Sequence, residues 1–292
     1  MPTRPTPART VVFVHAHPDD EAIFTGGTIA MLSRAGDRAV VVFTTSGELG
    51  RPPSGGDGRG TDGGLCDPVA LRSHRRIEAE RAGAILGVHE VVFLDHVDSG
   101  LGADSASRGA GAFVDVSPAT VAAEIAAIAR RVGACALVTY DEHGVYGHPD
   151  HIHVHLATMA AAALASVPTT YLATVDREYL HFVETHVVAR ADDAIPTIRR
   201  VGTPTVEVTT ELDVRAVIDT KRSAIAAHHS QVGDDPSMGV TAFEEVYGFE
   251  WYVRIGPRGI LDDLAERVRA ADPHRTPRLA APDRAYGERH GT

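Results

Sequence analysis

The run His17-Pro18-Asp19-Asp20-Glu21 has the densest set of chemically active groups in this sequence. It directly follows residues 10–15, an apolar stretch typical of a buried strand. Charged groups rarely gather at the edge of a core unless they pair or bind a cation. His17 and Asp20 are three residues apart across a proline-containing turn, so both can face one point. The run therefore indicates a cation site.

A second polar cluster, Tyr146-Gly147-His148-Pro149-Asp150-His151, follows another apolar stretch, residues 134–140. Pro149 suits the first turn of a helix, and His148 and His151, three residues apart, lie before and after this proline. Two imidazole nitrogens, one carboxylate oxygen and one open position form a catalytic zinc arrangement. The two clusters together predict a divalent-metal site with a hydrolytic purpose.

Spacing alone leaves the ligand from the second cluster open. His148 and His151 are both well placed, and His155 shares a helix face with His151. His153 points elsewhere on the same helix and is expected to face solvent. The structural alternative for His148 is a capping or loop histidine.

The elements that must position these residues alternate between strands and helices, which predicts an α/β fold. We expect a single Rossmann-like domain over residues 1–271, with a mostly parallel sheet and helices on both faces, and a loosely ordered tail over residues 272–292. The predicted strands lie near 10–15, 39–44, 90–94, 135–139, 168–173 and 205–210, and the predicted helices near 22–35, 69–86, 117–132, 150–165 and 213–228.

The predicted topology explains how distant clusters can meet. Ligands bind beyond the carboxyl ends of the strands in an open parallel sheet. Glu48 follows the second strand, and Asp95, His96 and Asp98 follow the third. All should lie on the same rim as the two clusters, although a solvated loop carboxylate is an equal interpretation of Glu48. The Gly-rich segment from Gly47 to Asp67 lacks a P-loop pattern and is expected to be a loop, or in a functional interpretation a lid.

Composition narrows the partners. The chain has 292 residues and a formal net charge of -11, which disfavours nucleic acid and anionic membranes. No stretch approaches a membrane span, and the N-terminus has no apolar signal segment. The two cysteines, Cys66 and Cys135, fit a reducing cytoplasm better than a disulfide framework. A homo-oligomer is possible.

Both clusters resemble the PIG-L/LmbE superfamily of zinc-dependent N-deacetylases. His17 to Glu21 matches the first signature of that superfamily, and Tyr146 to His151 matches the second. The resemblance is good over residues 10–165 and continues weakly through residues 221–231. Within the superfamily the chain is similar to enzymes of mycothiol metabolism, which implies a small N-acetylated amino-sugar substrate.

The resemblance also implies a role for each matching residue. His17, Asp20 and His151 would be ligands of Zn²⁺, with Fe²⁺ as the other possible metal. Asp19 would be the general base. Tyr146 would polarise the substrate carbonyl, and His148 would stabilise the tetrahedral intermediate or protonate the leaving amine. The remaining matching positions are Asp150, which would orient His148, and the substrate-binding candidates Arg75 and Asp98. Glu48 is a third substrate-binding candidate, from its place after the second strand.

The expected function is removal of acetate from an N-acetylglucosamine-type glycoside. The alternatives within the fold are an amidase acting on mycothiol-like S-conjugates and a deacetylase of a natural-product glycoside. A metal phosphoesterase would hold two metals about 3.5–4 Å apart. A non-catalytic sugar-binding protein would bind without turnover.

Overall fold

A seven-stranded sheet with the strand order β3-β2-β1-β4-β5-β7-β6 forms the centre of the molecule. The computed structural model of the chain describes residues 7–50, 67–100, 111–186, 201–232 and 240–271. The strands are β1 (Thr10–His15), β2 (Arg38–Thr45), β3 (Glu90–His96), β4 (Ala134–Tyr140), β5 (Thr169–Thr174), β6 (Thr210–Asp213) and β7 (Phe249–Ile255).

The strand order reverses direction at β1, which has β2 on one side and β4 on the other. The strand pairs from β3 to β5 are parallel. Among the seven described strands, β7 alone runs in the opposite direction, so its pairs with β5 and β6 are antiparallel. In such sheets the crevice for ligands lies at this reversal, beyond the carboxyl ends of the two strands. The sheet thus places the ends of β1 and β4 side by side, where the two polar clusters begin.

Helices cover both faces of the sheet, as alternating side chains of β1 show. Val11 and Phe13 pack into one apolar cluster, and Val12 and Val14 pack into the other. The helices are α1 (Asp20–Phe24), α2 (Gly26–Arg34), α3 (Pro68–Leu86), α4 (Pro118–Val132), α5 (Gly144–Gly147), α6 (Pro149–Ala165), α7 (Arg177–His186), α8 (Ile218–Ala227), α9 (Val240–Tyr247) and α10 (Ile260–Ala271). The predicted α/β class with a mostly parallel sheet is confirmed.

The first predicted helix, 22–35, is divided into α1 and α2 at Thr25. Thr25 takes φ -135 and ψ 4, and its hydroxyl contacts the Glu21 carbonyl and the His15 ring. Glu250 then caps the start of α2, because its carboxylate accepts the N–H groups of Gly27 and Thr28.

The strand predicted at 205–210 is wrong. Thr205–Glu207 forms a 3-10 turn and the strand β6 begins only at Thr210. The Thr205 hydroxyl lies 2.7 Å from both Asp176 Oδ1 and Glu178 Oε2, so contacts with the start of α7 replace a strand ladder there. The helix predicted at 213–228 begins later, because a 3-10 turn over Arg215–Val217 precedes α8.

Three predictions concern residues that the structure describes only in part or not at all. Residues 51–66, which make up most of the predicted lid, and the tail 272–292 lie outside the described residues. The single domain over 1–271 stays a prediction. Within the described part of the chain, none of the helices combines the length and the apolar character needed to cross a bilayer.

Candidate active site

The two polar clusters meet where β1 and β4 end. Asp20 Oδ2 lies 3.4 Å from His17 Nδ1 and 3.3 Å from His151 Nε2. His17 and Asp20 leave the end of β1, whereas His151 lies in the first turns of α6 after β4. All three residues are buried. The structure therefore brings the three predicted ligands together.

Tyr140, the last residue of β4, fixes the Asp20 carboxylate. Its hydroxyl donates to Asp20 Oδ2 at 2.7 Å and accepts the Ala16 N–H at 2.8 Å. The backbone N–H of His17 donates to the same Oδ2 atom at 3.0 Å. Burial alone would raise the pKa of Asp20, but His151 and His17 outweigh burial and hold that pKa well below its usual range. Sequence reasoning missed Tyr140, because a tyrosine at the end of an apolar strand is equally consistent with a side chain that only fills the core.

The ring of His151 has the protonation pattern of a metal ligand. Its Nδ1 atom lies 3.2 Å from the Gly144 carbonyl oxygen. A carbonyl oxygen only accepts, so Nδ1 carries a proton, and in the neutral ring Nε2 then keeps its lone pair. Nε2 is buried and has no hydrogen-bond partner among the described residues. An imidazole held through its outer nitrogen in this way suits a metal ion.

The ring of His17 is held from its other side by two carboxylates. His17 Nε2 lies 3.2 Å from Asp150 Oδ2 and 3.5 Å from Asp98 Oδ1. Asp150 Oδ2 also accepts the backbone N–H of Ser99 at 3.1 Å. With Nε2–H donated to these carboxylates, Nδ1 of His17 is the nitrogen that faces Asp20.

This arrangement differs from the role expected of Asp150. Its carboxylate contacts His17, and only its backbone N–H reaches His148, at 3.1 Å from Nδ1. His148 is thereby the N-cap of α6. The reason is geometric: a side chain at the cap accepts from the backbone two residues on, whereas the Asp150 side chain points into the site.

Because Nδ1 of His148 accepts a hydrogen bond, its neutral ring carries the proton on Nε2. The ring centre of His148 lies 4.6 Å from that of His17 and 4.8 Å from that of His151. Burial, together with these two rings, lowers the pKa of His148 to about 4. The three imidazoles can bring one nitrogen each within 4.8 Å of one another, so proximity alone does not separate His148 from His151 as the ligand.

Asp19 precedes Asp20 in the chain but is not one of the three proposed ligands His17, Asp20 and His151. Its backbone takes φ 114, a conformation that few residues other than glycine adopt. Its N–H donates to Glu21 Oε2 at 2.9 Å, and its Oδ2 lies 3.2 Å from an Arg75 guanidinium nitrogen. Burial, partly offset by Arg75, raises the pKa of Asp19 to about 6. A strained backbone held by several contacts is typical of a functional position.

Behind Asp19, a buried pair that sequence reasoning did not assign joins distant parts of the chain. His228 Nε2 lies 2.6 Å from Glu21 Oε1. The other oxygen of Glu21 holds the Asp19 N–H, so the pair fixes the backbone of Asp19. Two signals in the sequence pointed towards this pair. Glu21 is the last residue of the first polar cluster, and His228 lies in segment 221–231, which weakly resembles the superfamily.

Tyr146 lies on a strained turn at the mouth of the site. Val145 takes φ 63 and ψ -65, and Gly144 takes φ 65. A side chain at Gly144 would approach the His151 Cβ atom to 2.9 Å, so only glycine fits there. Tyr146 is 49% exposed, and its ring centre lies 5.1 Å from that of His151. Burial and the nearby carboxylates Asp20 and Asp19 raise the pKa of Tyr146.

The three substrate-binding candidates lie at the same rim, but they have different surroundings. Arg75 is buried and donates to the carbonyls of Gly47 (2.6 Å) and Pro18. Asp98 is buried against His17 and accepts the N–H groups of Leu49 and Gly100.

Glu48 has one carboxylate oxygen committed and the other without a partner. Its Oε1 accepts the Asp98 N–H at 3.0 Å, whereas Oε2 is buried with no hydrogen-bond partner among the described residues. Arg75 Nε and Asp150 Oδ1 are buried and unpartnered in the same sense. Buried polar atoms without partners are rare in native proteins, so these groups are suited to a polar ligand.

Two histidines of α6 lie outside the site. His153, expected to face solvent, is buried, and its ring packs edge-on against Phe113 at 4.7 Å between centres. That expectation is wrong because α4 and the turn at Phe113 cover this side of the helix. His155 Nδ1 bonds the Tyr140 carbonyl at 2.9 Å.

Asp95 and His96, which the sequence placed after the third strand, are the last two residues of β3 and point away from the site. Asp95 pairs with Arg72 at 2.6 Å, and with Arg76. His96 pairs with Glu124 at 2.8 Å. Of the residues that follow β3 in the sequence prediction, only Asp98 reaches His17.

Known proteins resemble both the sequence and the fold. A deacetylase of 1D-myo-inositol 2-acetamido-2-deoxy-alpha-D-glucopyranoside from Thermobifida fusca is 36% identical over 289 residues, which cover 88% of this chain and 98% of the relative. The N,N'-diacetylchitobiose deacetylase of Pyrococcus horikoshii has a similar structure, with a TM-score of 0.57, 19% identity and coverage of 86% of this chain and 85% of that one.

A protein with a different reaction has the same fold. The 4-carboxy-2-hydroxymuconate hydratase of Pseudomonas putida KT2440 gives a TM-score of 0.53 with 21% identity, covering 86% of this chain and 98% of that one. The fold alone therefore does not define the reaction. The sequence is more specific, since the model of the PIG-L family, GlcNAc-PI de-N-acetylase, matches residues 12–162. With that match and the 36% identical relative, the chain belongs to the PIG-L family.

Proposed function

We propose that this protein is a metal-dependent hydrolase that removes acetate from an N-acetylglucosamine-type glycoside. The observation that carries the proposal is the buried group His17, Asp20 and His151, with the strained carboxylate of Asp19 beside it. The PIG-L family and the named activity of the Thermobifida fusca relative support the reaction type.

The metal would be held by His17 Nδ1, His151 Nε2 and the Asp20 carboxylate. The outer nitrogens of both rings are hydrogen-bonded, and Nε2 of His151 is buried without a partner, so the donor set fits zinc or iron(II). Such an ion supplies Lewis-acid chemistry that activates water near neutral pH and polarises a carbonyl oxygen. His151 is the better third ligand, because Nδ1 of His148 accepts a hydrogen bond and its Nε2 therefore carries the proton, whereas Nδ1 of His151 donates and leaves Nε2 free to bind.

Asp19 is the proposed general base. It adjoins Asp20 but its side chain points to Arg75, which leaves it beside the metal group and outside the ligand set. A pKa raised to about 6 gives a carboxylate that is ionised at neutral pH and still basic enough to accept a proton from the attacking water. The Glu21–His228 pair holds its backbone in place.

His148 is the proposed hydrogen-bond donor to the oxyanion. Its Nε2–H faces the site while Nδ1 is fixed by the Asp150 N–H, so the neutral ring presents its N–H in a defined direction. That N–H can stabilise the oxyanion, and the proton for the departing amine can come from Asp19 after it has accepted one from water. Tyr146, whose ring centre lies 6.1 Å from that of His148, is a second donor to the oxyanion, and its raised pKa keeps its hydroxyl protonated.

Glu48 is the strongest candidate for contact with the sugar. Its Oε2 atom is buried without a hydrogen-bond partner among the described residues, whereas both carboxylate oxygens of Asp98 accept hydrogen bonds. Asp98 supports His17 and the loop at Leu49, and Arg75 supports Pro18 and Gly47. We propose that these two residues shape the pocket, and that Arg75 Nε provides one further donor to the substrate.

The decisive experiment is acetate release from a panel of N-acetylated glycosides. The panel contains the glucosaminyl-inositol conjugate, N-acetylglucosamine glycosides with other aglycones, and an S-conjugate of a mycothiol-like thiol. We expect turnover of at least one N-acetylglucosamine glycoside, and the ranking then defines the aglycone. Cleavage of the S-conjugate alone would replace the deacetylase with an amidase. No turnover of any member by metal-loaded protein would contradict the proposal.

A further inference from the structure

A second group of potential metal ligands lies behind the active site, on the surface between α3 and the turn that follows α8. His74 and Glu78 are four residues apart on α3 and therefore share a face of that helix. His229 approaches them from the turn after α8. One ligand atom from each residue lies within 4.8 Å of the others.

The individual distances match those between ligands of one ion. His74 Nε2 lies 3.2 Å from Glu78 Oε1 and 3.2 Å from His229 Nε2. Two ligands on a tetrahedral zinc ion, each about 2.0–2.1 Å from the metal, are about 3.3 Å apart. The pair of imidazole rings also meets edge to face, with centres 5.1 Å apart. His229 faces His74 through Nε2 and Glu78 through Nδ1, 2.9 Å from Oε1, so a turn of its ring would be needed to aim one nitrogen at an ion shared by all three residues.

Ser230 holds the carboxylate of Glu78 in place. Its N–H donates to Oε1 at 2.9 Å and its hydroxyl donates to Oε2 at 2.6 Å. Glu78 is fully buried, so its position is fixed by packing as well as by these hydrogen bonds. Carboxylate ligands of metal sites are usually fixed by such outer hydrogen bonds.

The two histidines leave an approach for an ion. The side chain of His74 is 35% exposed and that of His229 is 55% exposed. A metal could therefore enter from solvent, and water could complete its coordination. We propose that His74, Glu78 and His229 form a second site for a divalent transition metal, zinc above all, since two imidazoles and one carboxylate favour zinc over magnesium or calcium.

The proposed site would connect two segments that support Asp19. Arg75, next to His74, contacts the Asp19 carboxylate, and His228, next to His229, contacts Glu21. A metal between His74 and His229 would fasten α3 to the turn after α8. Because the ion would bind the folded protein and bridge distant segments, its occupancy should raise the unfolding temperature. This inference does not depend on the proposed reaction.

The test is the zinc stoichiometry of metal-free protein titrated with Zn²⁺ in the presence of a weak competing chelator. We expect about two zinc equivalents in the wild type, and about one in both His229→Ala and His74→Ala. His89→Ala, an exposed histidine outside both groups, is the matched control and should keep two. Zinc beyond the first equivalent should also raise the Tm of the wild type but not that of His229→Ala.

Other outcomes separate this site from the active site. His151→Ala should keep about one zinc, at the second site, whereas the double variant His151→Ala/His229→Ala should keep none. If the wild type and His229→Ala bind equal amounts of zinc and respond equally in Tm, the second site does not exist. If the wild type binds one zinc that His229→Ala loses and His151→Ala keeps, the second site stands and the proposed active-site metal fails.

Discussion

The Nε2 atom of His151 lies 3.3 Å from the Oδ2 atom of Asp20, with no hydrogen bond between them. The two residues belong to segments that follow β4 and β1, neighbouring strands of the sheet. A buried imidazole lone pair facing a carboxylate oxygen is costly unless a cation lies between them. This relationship makes a metal the simplest explanation of the site.

Asp19→Asn should lower kcat by about 10²–10⁴ while the metal content stays the same, because the amide cannot accept the proton from water. Asparagine also tolerates the positive φ of this position, so the backbone should not change. Steady-state acetate release and metal analysis on the same preparation check both statements. Full activity in this variant would exclude Asp19 as the base.

His148→Asn separates the capping role of this residue from its proposed role as hydrogen-bond donor to the oxyanion. Asparagine is a good N-cap, so the start of α6 should remain stable, whereas the Nε2 proton is lost. We expect kcat to fall about 10²–10³-fold with an unchanged unfolding temperature. His148→Ala should show the same kinetic loss and, in addition, about 1 kcal/mol less stability. Equal kcat in the wild type and His148→Asn would mean that the ring only caps the helix.

Tyr146→Phe should reduce kcat by about 10²–10³ if the hydroxyl donates to the oxyanion. The ring is kept, so its packing near His151 and Phe24 should remain, and KM should change little. Kinetics with the preferred glycoside measure the effect. An unaltered kcat would leave Tyr146 as a surface aromatic on the strained turn.

The Glu21–His228 pair should make stability depend on pH. Burial would lower the pKa of His228, but Glu21 outweighs it and raises that pKa above the ordinary value of 6.5. The His228 contribution is therefore full below 6.5 and is lost as pH rises through the raised pKa. Glu21 has a lowered pKa, so its contribution is present above 4.5 and is lost as pH falls through the lower value.

His228→Gln tests this pH dependence. Between about pH 6 and 9, the unfolding free energy of metal-free wild type should decline more steeply than that of His228→Gln. Denaturant titrations at several pH values measure the two slopes, with His89→Gln as a control of equal chemistry at an exposed position. Parallel slopes for the wild type and His228→Gln would show that the pair carries no proton linkage.

The sequence predicted the half of the fold that positions the candidate site. The first four strands are continuous apolar runs, and each is followed by its polar residues, so both the parallel sheet and the shared rim could be predicted. The proposed ligands His17 and Asp20 follow β1, and His151 lies in the first turn of α6, the second helix after β4. Local sequence was sufficient there because a parallel sheet places its strand ends together.

Charges conceal β7 in the sequence. This strand, Phe249–Ile255, carries Glu250 and Arg254 at buried positions, which interrupts the apolar pattern. Lys221 neutralises Glu250 at 2.7 Å, and Asp262 neutralises Arg254 at 2.6 Å. Lys221 is 29 residues from Glu250 and Asp262 lies eight residues after Arg254, in the next helix, so neither compensation is visible within the strand itself. The Glu21–His228 pair was missed for the same reason.

The metal content of a His229→Ala background is the sharpest test of the proposed metal site of His17, Asp20 and His151, because only that site, between β1 and β4, would then contribute. We expect about one zinc per chain in His229→Ala, none after His151→Ala is added, and about one after His155→Ala is added instead. Acetate release should follow the zinc, disappearing with His151→Ala and persisting with His155→Ala. If His151→Ala/His229→Ala kept both its zinc and its acetate release, His151 would not be a ligand of the active-site metal.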